Sequence, residues 1–166
     1  MIQVFSERAI CGFFWPMAAP LLQAAPMQGR LITDTQGPGL YEVTDGISGW
    51  LDQIGAASGL LTLFIRHSSA SLLVQENADP QVRSDLTAFL HRLVPPSDDP
   101  AMAYLTHIQE GPDDMPAHIK AALLPVHLSI PVAQGRMALG TWQGIYVVEH
   151  RMHPHRRQIA LHFRAD

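Results

Sequence analysis

The chain has 166 residues, of which 47% are hydrophobic and 16% are charged, and its formal net charge is −4. This length suits one core-bearing domain, and the apolar content excludes disorder for most of the chain. A typical domain carries about 25% charged residues, so the low charge predicts apolar surface that self-association buries. No basic tract indicates nucleic-acid binding, and a single cysteine, Cys11, excludes an intrachain disulfide.

The first 26 residues differ from the rest, because residues 9–25 contain no charge and are interrupted by prolines. Glu7 beside Arg8 makes a poor match to a secretory signal, and the run is too short and too rich in proline for a membrane span. Three interpretations stay open: an extension in front of a later start, an export signal, or a packing arm. We expect a single domain over residues 27–166 and a cytoplasmic protein that binds no membrane.

Downstream of residue 26 the sequence alternates between short strands and helices. In the first half, apolar runs bounded by turn residues predict four strands, at residues 30–35, 40–44, 60–66 and 71–75. A helix is predicted after the second strand, capped by Asp45 and with apolar residues at three-and-four spacing. After the fourth strand, Asp79 and Pro80 indicate the start of a second helix, which Pro95 and Pro96 end.

The second half begins with a polar, proline-rich link at residues 97–100. Asp113 or Asp114 is predicted to cap a third helix that has Pro116 in its first turn. Four more strands are predicted, at residues 126–132, 136–139, 144–150 and 157–163. Their connections are too short for parallel crossovers, so we predict an α+β fold with largely antiparallel sheets and about three helices.

Reactive polar residues concentrate where apolar strands end. Such residues follow the third and fourth strands, at His67, Ser68, Ser69, Glu76 and Asn77. A strand exit holds side chains rigidly and is a good place for a site. The competing interpretation of the histidine is a satisfied turn residue, because histidine is often partly buried.

The start of the third predicted helix carries a second group. Asp114 and His118 lie four residues apart, so their side chains project from one helix face, and His107 precedes them. Two imidazoles with a carboxylate suit a divalent metal such as zinc, or an acid–base pair. The helix start also favours a bound phosphate. The alternative is a surface helix with a capping aspartate.

A glycine-containing turn forms the last group. Gly140 permits backbone angles that other residues avoid, which allows Thr141, Trp142 and Gln143 to approach a ligand or another chain. The alternative for Trp142 is that it fills the core.

Taken together, these motifs resemble the small YjbQ-type proteins over about residues 28–166. The resemblance rests on motifs that occur in the family's order: His67-Ser-Ser-Ala-Ser, Gln75-Glu76-Asn77-Ala-Asp-Pro, Asp85, His107, Asp114 with His118, Ile130-Pro131-Val132, Gly135-Arg136, Leu139-Gly140-Thr141-Trp142-Gln143 and Glu149. Two stretches depart from the family's usual pattern, residues 113–118 and residues 150–156.

The resemblance implies two overlapping sheets and a homotrimer whose sheets pack around the threefold axis. It also implies a secondary thiamine-phosphate synthase, which joins hydroxymethylpyrimidine diphosphate to hydroxyethylthiazole phosphate and releases pyrophosphate. A non-catalytic trimeric protein that binds a small ligand or metal, and a metal-dependent phosphoester hydrolase, are the alternatives.

Three groups of site residues follow from the resemblance and the motifs. We expect catalytic roles for His67, Glu76, Asp85 and Glu149. We expect contacts to a phosphorylated small-molecule substrate from Ser68, Ser69, Asn77, Arg136, Thr141, Gln143 and Arg156. We expect metal ligation by His107, Asp114 and His118, with Mg²⁺ for transfer or Zn²⁺ at the histidines.

Overall fold

A computed structural model describes residues 27–166, and the expectations for residues 1–26 lie outside that range. The described chain forms strands β1 Met27–Thr35, β2 Gly39–Glu42, β3 Gly59–Ile65, β4 Ala70–Glu76, β5 His127–Ala133, β6 Arg136–Met137, β7 Gln143–Glu149 and β8 His155–Ala165. The α-helices are α1 Thr44–Gln53, α2 Pro80–Leu93 and α3 Asp114–Leu123, with a short 3₁₀ turn at Pro100–Met102. None of the described helices is long and apolar enough to cross a membrane.

The strands form two sheets. Five strands pair in the order β1-β8-β3-β5-β6, and three pair in the order β2-β7-β4. Every pair is antiparallel. The predicted α+β class, with two antiparallel sheets and three helices, is therefore confirmed.

The core lies between the two sheets and under α1. Alternate residues of β3, from Leu61 to Ile65, point inward with alternate residues of β8 and with Ile145 and Val147 of β7. Strand β7 is buried from its second residue to its last. It is the central strand of its sheet, so one face meets the core while Val148 on the other face lines a pocket beside α2 and α3.

The outer face of the five-stranded sheet stays open. Three large apolar residues on this face are exposed, Ile32 by 39%, Leu60 by 46% and Phe64 by 49%. An uncovered apolar sheet face indicates an interaction surface.

Several local predictions are corrected by the structure. The second strand ends at Glu42, and α1 begins at Thr44, so Asp45 lies in the first turn and does not cap the helix. Trp142 is 65% exposed and does not fill the core. The cap of α2 is confirmed, because Asp79 Oδ1 accepts a hydrogen bond from the Gln81 amide at 2.8 Å. No residue of α2 is fully buried.

Gly59, at the start of β3, lies where the backbones of β3 and β8 approach closely, so a substitution there tests this contact. Its φ is +155°, and a Cβ there would clash with the carbonyl oxygen of Arg164. We expect Gly59→Ala to lower the free energy of unfolding by about 2 kcal/mol or more in a denaturant titration. Gly49→Ala is the control: nothing lies within 4 Å of its Cβ position inside α1. That change should raise stability by about 0.5–1 kcal/mol, and equal effects at both sites would contradict the clash.

Candidate functional site

Asp114 is the centre of a cluster of histidines and carboxylates, named here the histidine cluster: His107, Glu110, Asp114 and His118. The Oδ2 atom of Asp114 lies 3.0 Å from His107 Nε2 and 3.5 Å from His118 Nε2. Glu110 Oε1 lies 3.6 Å from the same His107 nitrogen. Asp114 is only 2% exposed, so its position is fixed by packing. The structure therefore brings together all three residues predicted to bind a metal.

The backbone of the loop after β3 sets the proton position on His118. His118 Nδ1 lies 2.9 Å from the carbonyl oxygen of Ser68. A carbonyl oxygen only accepts, so Nδ1 must donate, and in a neutral ring the lone pair is then on Nε2. That nitrogen faces Asp114. A hydrogen bond of this kind orients histidines that ligate metals.

Arg151 holds the two aspartates at the start of α3. Its Nε donates to Asp113 Oδ2 at 2.9 Å, and its Nη1 donates to Asp114 Oδ1. Asp113 makes no side-chain cap bond, and it also accepts from the Met152 amide. Burial alone would raise the pKa of Asp113, but the Met152 amide and the Arg151 charge outweigh it and lower that pKa. Arg151 thus leaves only Oδ2 of Asp114 facing the histidines.

The donor set of the histidine cluster fits a divalent metal. One donor atom from each of His107, Glu110 and Asp114 lies within 4.8 Å of the others, whereas His118 is outside this group and is in polar contact with Asp114 alone of the three. Imidazole nitrogens with carboxylate oxygens suit Zn²⁺ and similar transition metals, whereas Mg²⁺ prefers oxygen ligands and retains waters.

Glu149 and Arg157 form a buried ion pair that lies between the two sheets. Arg157 Nε donates to Glu149 Oε2 at 2.7 Å, and Thr35 Oγ1 donates to the same oxygen at 2.7 Å. The amides of His150 and Arg151 donate to Oε1. Burial would raise the pKa of Glu149, but the hydrogen bonds from Arg157 and Thr35 lower it. This carboxylate has a full set of internal partners, so in this geometry it holds the neighbouring strands and loop in position.

The loop after β3 lies between the ion pair and the histidine cluster. His67 Nε2 accepts from the Gln158 amide at 2.9 Å, and burial followed by the charge of Arg157 lowers the pKa of His67. Ser68 and Ser69 contact His118 and Arg157 through their carbonyl oxygens. We predicted substrate contacts from both serines, and the contacts that the structure shows are made by their backbone.

Other predicted site residues lie elsewhere in the chain. Ala70 pairs with Glu149 at one end of the three-stranded sheet, and Glu76 pairs with Gln143 at the other. At about 3.3 Å per residue these ends are roughly 20 Å apart. Asn77 and Thr141 flank the far end.

Three more predicted residues are also outside the histidine cluster. Asp85 is exposed on α2, and Arg136 is exposed on the edge strand β6. Arg156 Nε lies 3.1 Å from Asp34 Oδ1 in an exposed ion pair. One chain alone therefore does not gather every predicted residue at one site.

Sequence reasoning missed the buried polar residues beside β7. His150 Nε2 lies 2.9 Å from Ser71 Oγ, and both residues are buried. Burial, followed by the charge of Lys120, lowers the pKa of His150 to about 4. The burial of Arg157 was predictable, because along β8 it lies on the same inward face as Ile159 and Leu161. His150 and Arg151 follow an unbroken buried run and carried no comparable pattern.

Comparisons with known proteins agree with this architecture. A family described as "UPF0047 protein YjbQ-like" matches residues 30–166. A UPF0047 protein of Synechocystis sp. is 46% identical over 81% of this chain and 89% of its own length. The UPF0047 protein YjbQ of Salmonella typhimurium is 43% identical over 87% of this chain and 94% of its own length.

Solved structures give the same result. A hypothetical protein from Aeropyrum pernix superposes with a TM-score of 0.75 at 27% identity, covering 84% of this chain and 99% of that one. A conserved hypothetical protein from Thermus thermophilus gives 0.69 at 32% identity, covering 80% and 97%. The chain belongs to the UPF0047 YjbQ-like family.

His150 makes stability depend on pH. Its pKa is about 4 in the folded chain against 6.5 for an ordinary histidine. Between these values only the unfolded chain takes up the proton, so this contribution to stability is lost as the pH falls from about 6.5 to 4. The expected loss in the free energy of unfolding is about 3 kcal/mol.

Denaturant titrations across this pH range measure the loss. His150→Gln removes the titrating group and should flatten the dependence, whereas His127→Gln, at an exposed position on β5, should leave it unchanged. An unaltered slope in His150→Gln would contradict the assignment.

Proposed function

We propose that this member of the UPF0047 YjbQ-like family binds a divalent metal through His107, Asp114 and His118 and performs diphosphate chemistry of the secondary thiamine-phosphate synthase type. The observation that carries the proposal is the position of Asp114 Oδ2 between two imidazole nitrogens. His107 is exposed and His118 is partly exposed, so a ligand can reach the cluster. The substrates proposed are those that the resemblance to the YjbQ-type proteins implies.

The proposed reaction breaks the C–O bond between the pyrimidine methylene and its diphosphate. Pyrophosphate leaves with the bonding electrons, and the thiazole nitrogen donates the pair that forms the new C–N bond. A bound metal would supply charge neutralisation of the leaving pyrophosphate. His118 keeps its Nε2 lone pair available because Ser68 fixes the proton on Nδ1. Arg151 orients Asp114 by holding its Oδ1.

A metal-dependent phosphoester hydrolase is the second candidate. The nitrogen-containing donor set favours it, because Zn²⁺ activates a bound water for hydrolysis. Mg²⁺, which accompanies diphosphate transfer more often, prefers sites built of oxygen. The identity of the bound metal therefore separates the two candidates.

We also propose the homotrimer that the resemblance implies. The open outer face of the five-stranded sheet, with Leu60 and Phe64 about half exposed, supports burial by neighbouring copies. The separation of Glu76 and Gln143 from the histidine cluster supports a site shared between copies. In such an assembly the far end of one three-stranded sheet would meet the histidine cluster of the next subunit.

Metal binding and turnover test the proposed function together. Elemental analysis of the purified protein and titration with Zn²⁺ and Mg²⁺ should show one site per chain. Asp114→Asn should weaken that binding by at least ~10-fold, because it removes the central carboxylate. His127→Ala, at an exposed histidine on β5, should bind normally.

Thiamine phosphate formation from the two precursors should depend on the same metal and fall with Asp114→Asn. Metal binding without product, but with phosphate released from phosphoesters, would favour the hydrolase. Undiminished metal binding by Asp114→Asn would exclude the site.

Sedimentation velocity tests the assembly. We expect a species of three chains, and we expect Phe64→Glu to dissociate it because the change places a charge on the open sheet face. Arg92→Glu, at an exposed position on α2, is the control and should stay assembled.

Mixing two inactive variants tests whether the site is shared between copies. His118→Ala chains mixed with Glu76→Ala chains should restore about a quarter of the sites by random assembly. A monomer, or no restoration, would contradict this proposal.

A further inference from the structure

A small pocket lies beside α3 and contains none of the three residues predicted to bind a metal. Its volume is about 50 Å³. It is lined by parts of α2 and α3, the first residue of β2, the end of β7 and three loops. Its walls are mostly apolar and include Leu90, Pro116, Val148 and Met152.

Most of the polar groups that line this pocket already have partners. Asp113 is bonded to Arg151, which it shares with Asp114, and Glu149 is bonded to Arg157. His150 is bonded to Ser71.

Two basic side chains of the lining form no hydrogen bond or salt bridge with the described residues: His91, which is exposed, and Lys120. Lys120 is the only lysine in the chain. It lines the pocket and is partly buried, yet it forms neither a hydrogen bond nor a salt bridge with the residues that the structure describes. Withdrawing a cation from water without a partner costs free energy, so such groups are normally paired. The charge of Asp113 acts on Lys120 from the same pocket wall, but no described acceptor is hydrogen-bonded to the ammonium, so its donors are open to a ligand.

We propose that this pocket binds a short-chain monocarboxylate, whose oxygens accept from the Lys120 ammonium while its alkyl tail packs against Leu90, Pro116 and Val148. The volume of the pocket limits the length of the ligand's alkyl chain. About 10–15 Å³ of such space holds one water, so the pocket holds about four water-sized groups. Propionate has this size. A phosphate is a poor fit, because it needs several donors, and beside Lys120 the described basic side chains of the lining include only the exposed His91.

Titration with sodium propionate at constant ionic strength, followed by amide chemical shifts, tests the proposal. We expect saturable shifts in residues that line the pocket. Lys120→Met keeps the apolar stem and removes the charge, and it should weaken binding by at least ~10-fold. Arg92→Met removes an exposed cation from α2 and should bind propionate like the unaltered protein.

Two further probes define the chemistry. Propionamide has nearly the same shape without the charge and should bind at least ~10-fold more weakly than propionate. Inorganic phosphate should not compete. Equal binding of propionamide, unchanged binding by Lys120→Met, or no saturable shift with propionate would each overturn the proposal. Lys120→Gln, a polar replacement, serves if Lys120→Met fails to fold. None of these outcomes depends on a metal at the histidine cluster, so the two proposals fail separately.

Discussion

The buried pair between Glu149 and Arg157 is the constraint on which the rest of the structure depends. Glu149 ends β7 in the three-stranded sheet, and Arg157 lies on β8 in the five-stranded sheet. The pair therefore joins the two sheets near the loop after β3 and the loop after β7. Removing either partner would leave an uncompensated buried charge, which costs about 3–5 kcal/mol. Through Ser69, Arg157 also holds the loop that positions His118.

Much of the fold was predictable because its signals are local. Alternation along β8 and the Asp79–Pro80 start of α2 each depend on a few neighbouring residues. The start of α1 was misplaced because Val43 occupies the cap position without a capping side chain, and its amide bonds to Ile145 on a distant strand. Tertiary contacts set that boundary, so local chemistry did not indicate it.

The candidate site was predictable only where sequence spacing equals spatial proximity. Asp114 and His118 meet because they are one helical turn apart. The link from Arg151 to the same aspartate spans 37 positions. Glu76 was grouped with the histidines by resemblance, yet strand register puts it at the other end of the sheet. A strand that runs through the core therefore separates residues that the resemblance groups together.

The loop after β3 has a consequence for which sequence changes the protein tolerates. Ser68 and Ser69 reach His118 and Arg157 through carbonyl oxygens, which every amino acid possesses. Chain direction at these positions therefore matters more than side-chain identity. A threonine in place of either serine would add a methyl group, which does not alter the carbonyl. The path of the backbone therefore sets the tautomer of His118, and exchanging one small hydroxyl residue for another at these positions leaves that tautomer unchanged.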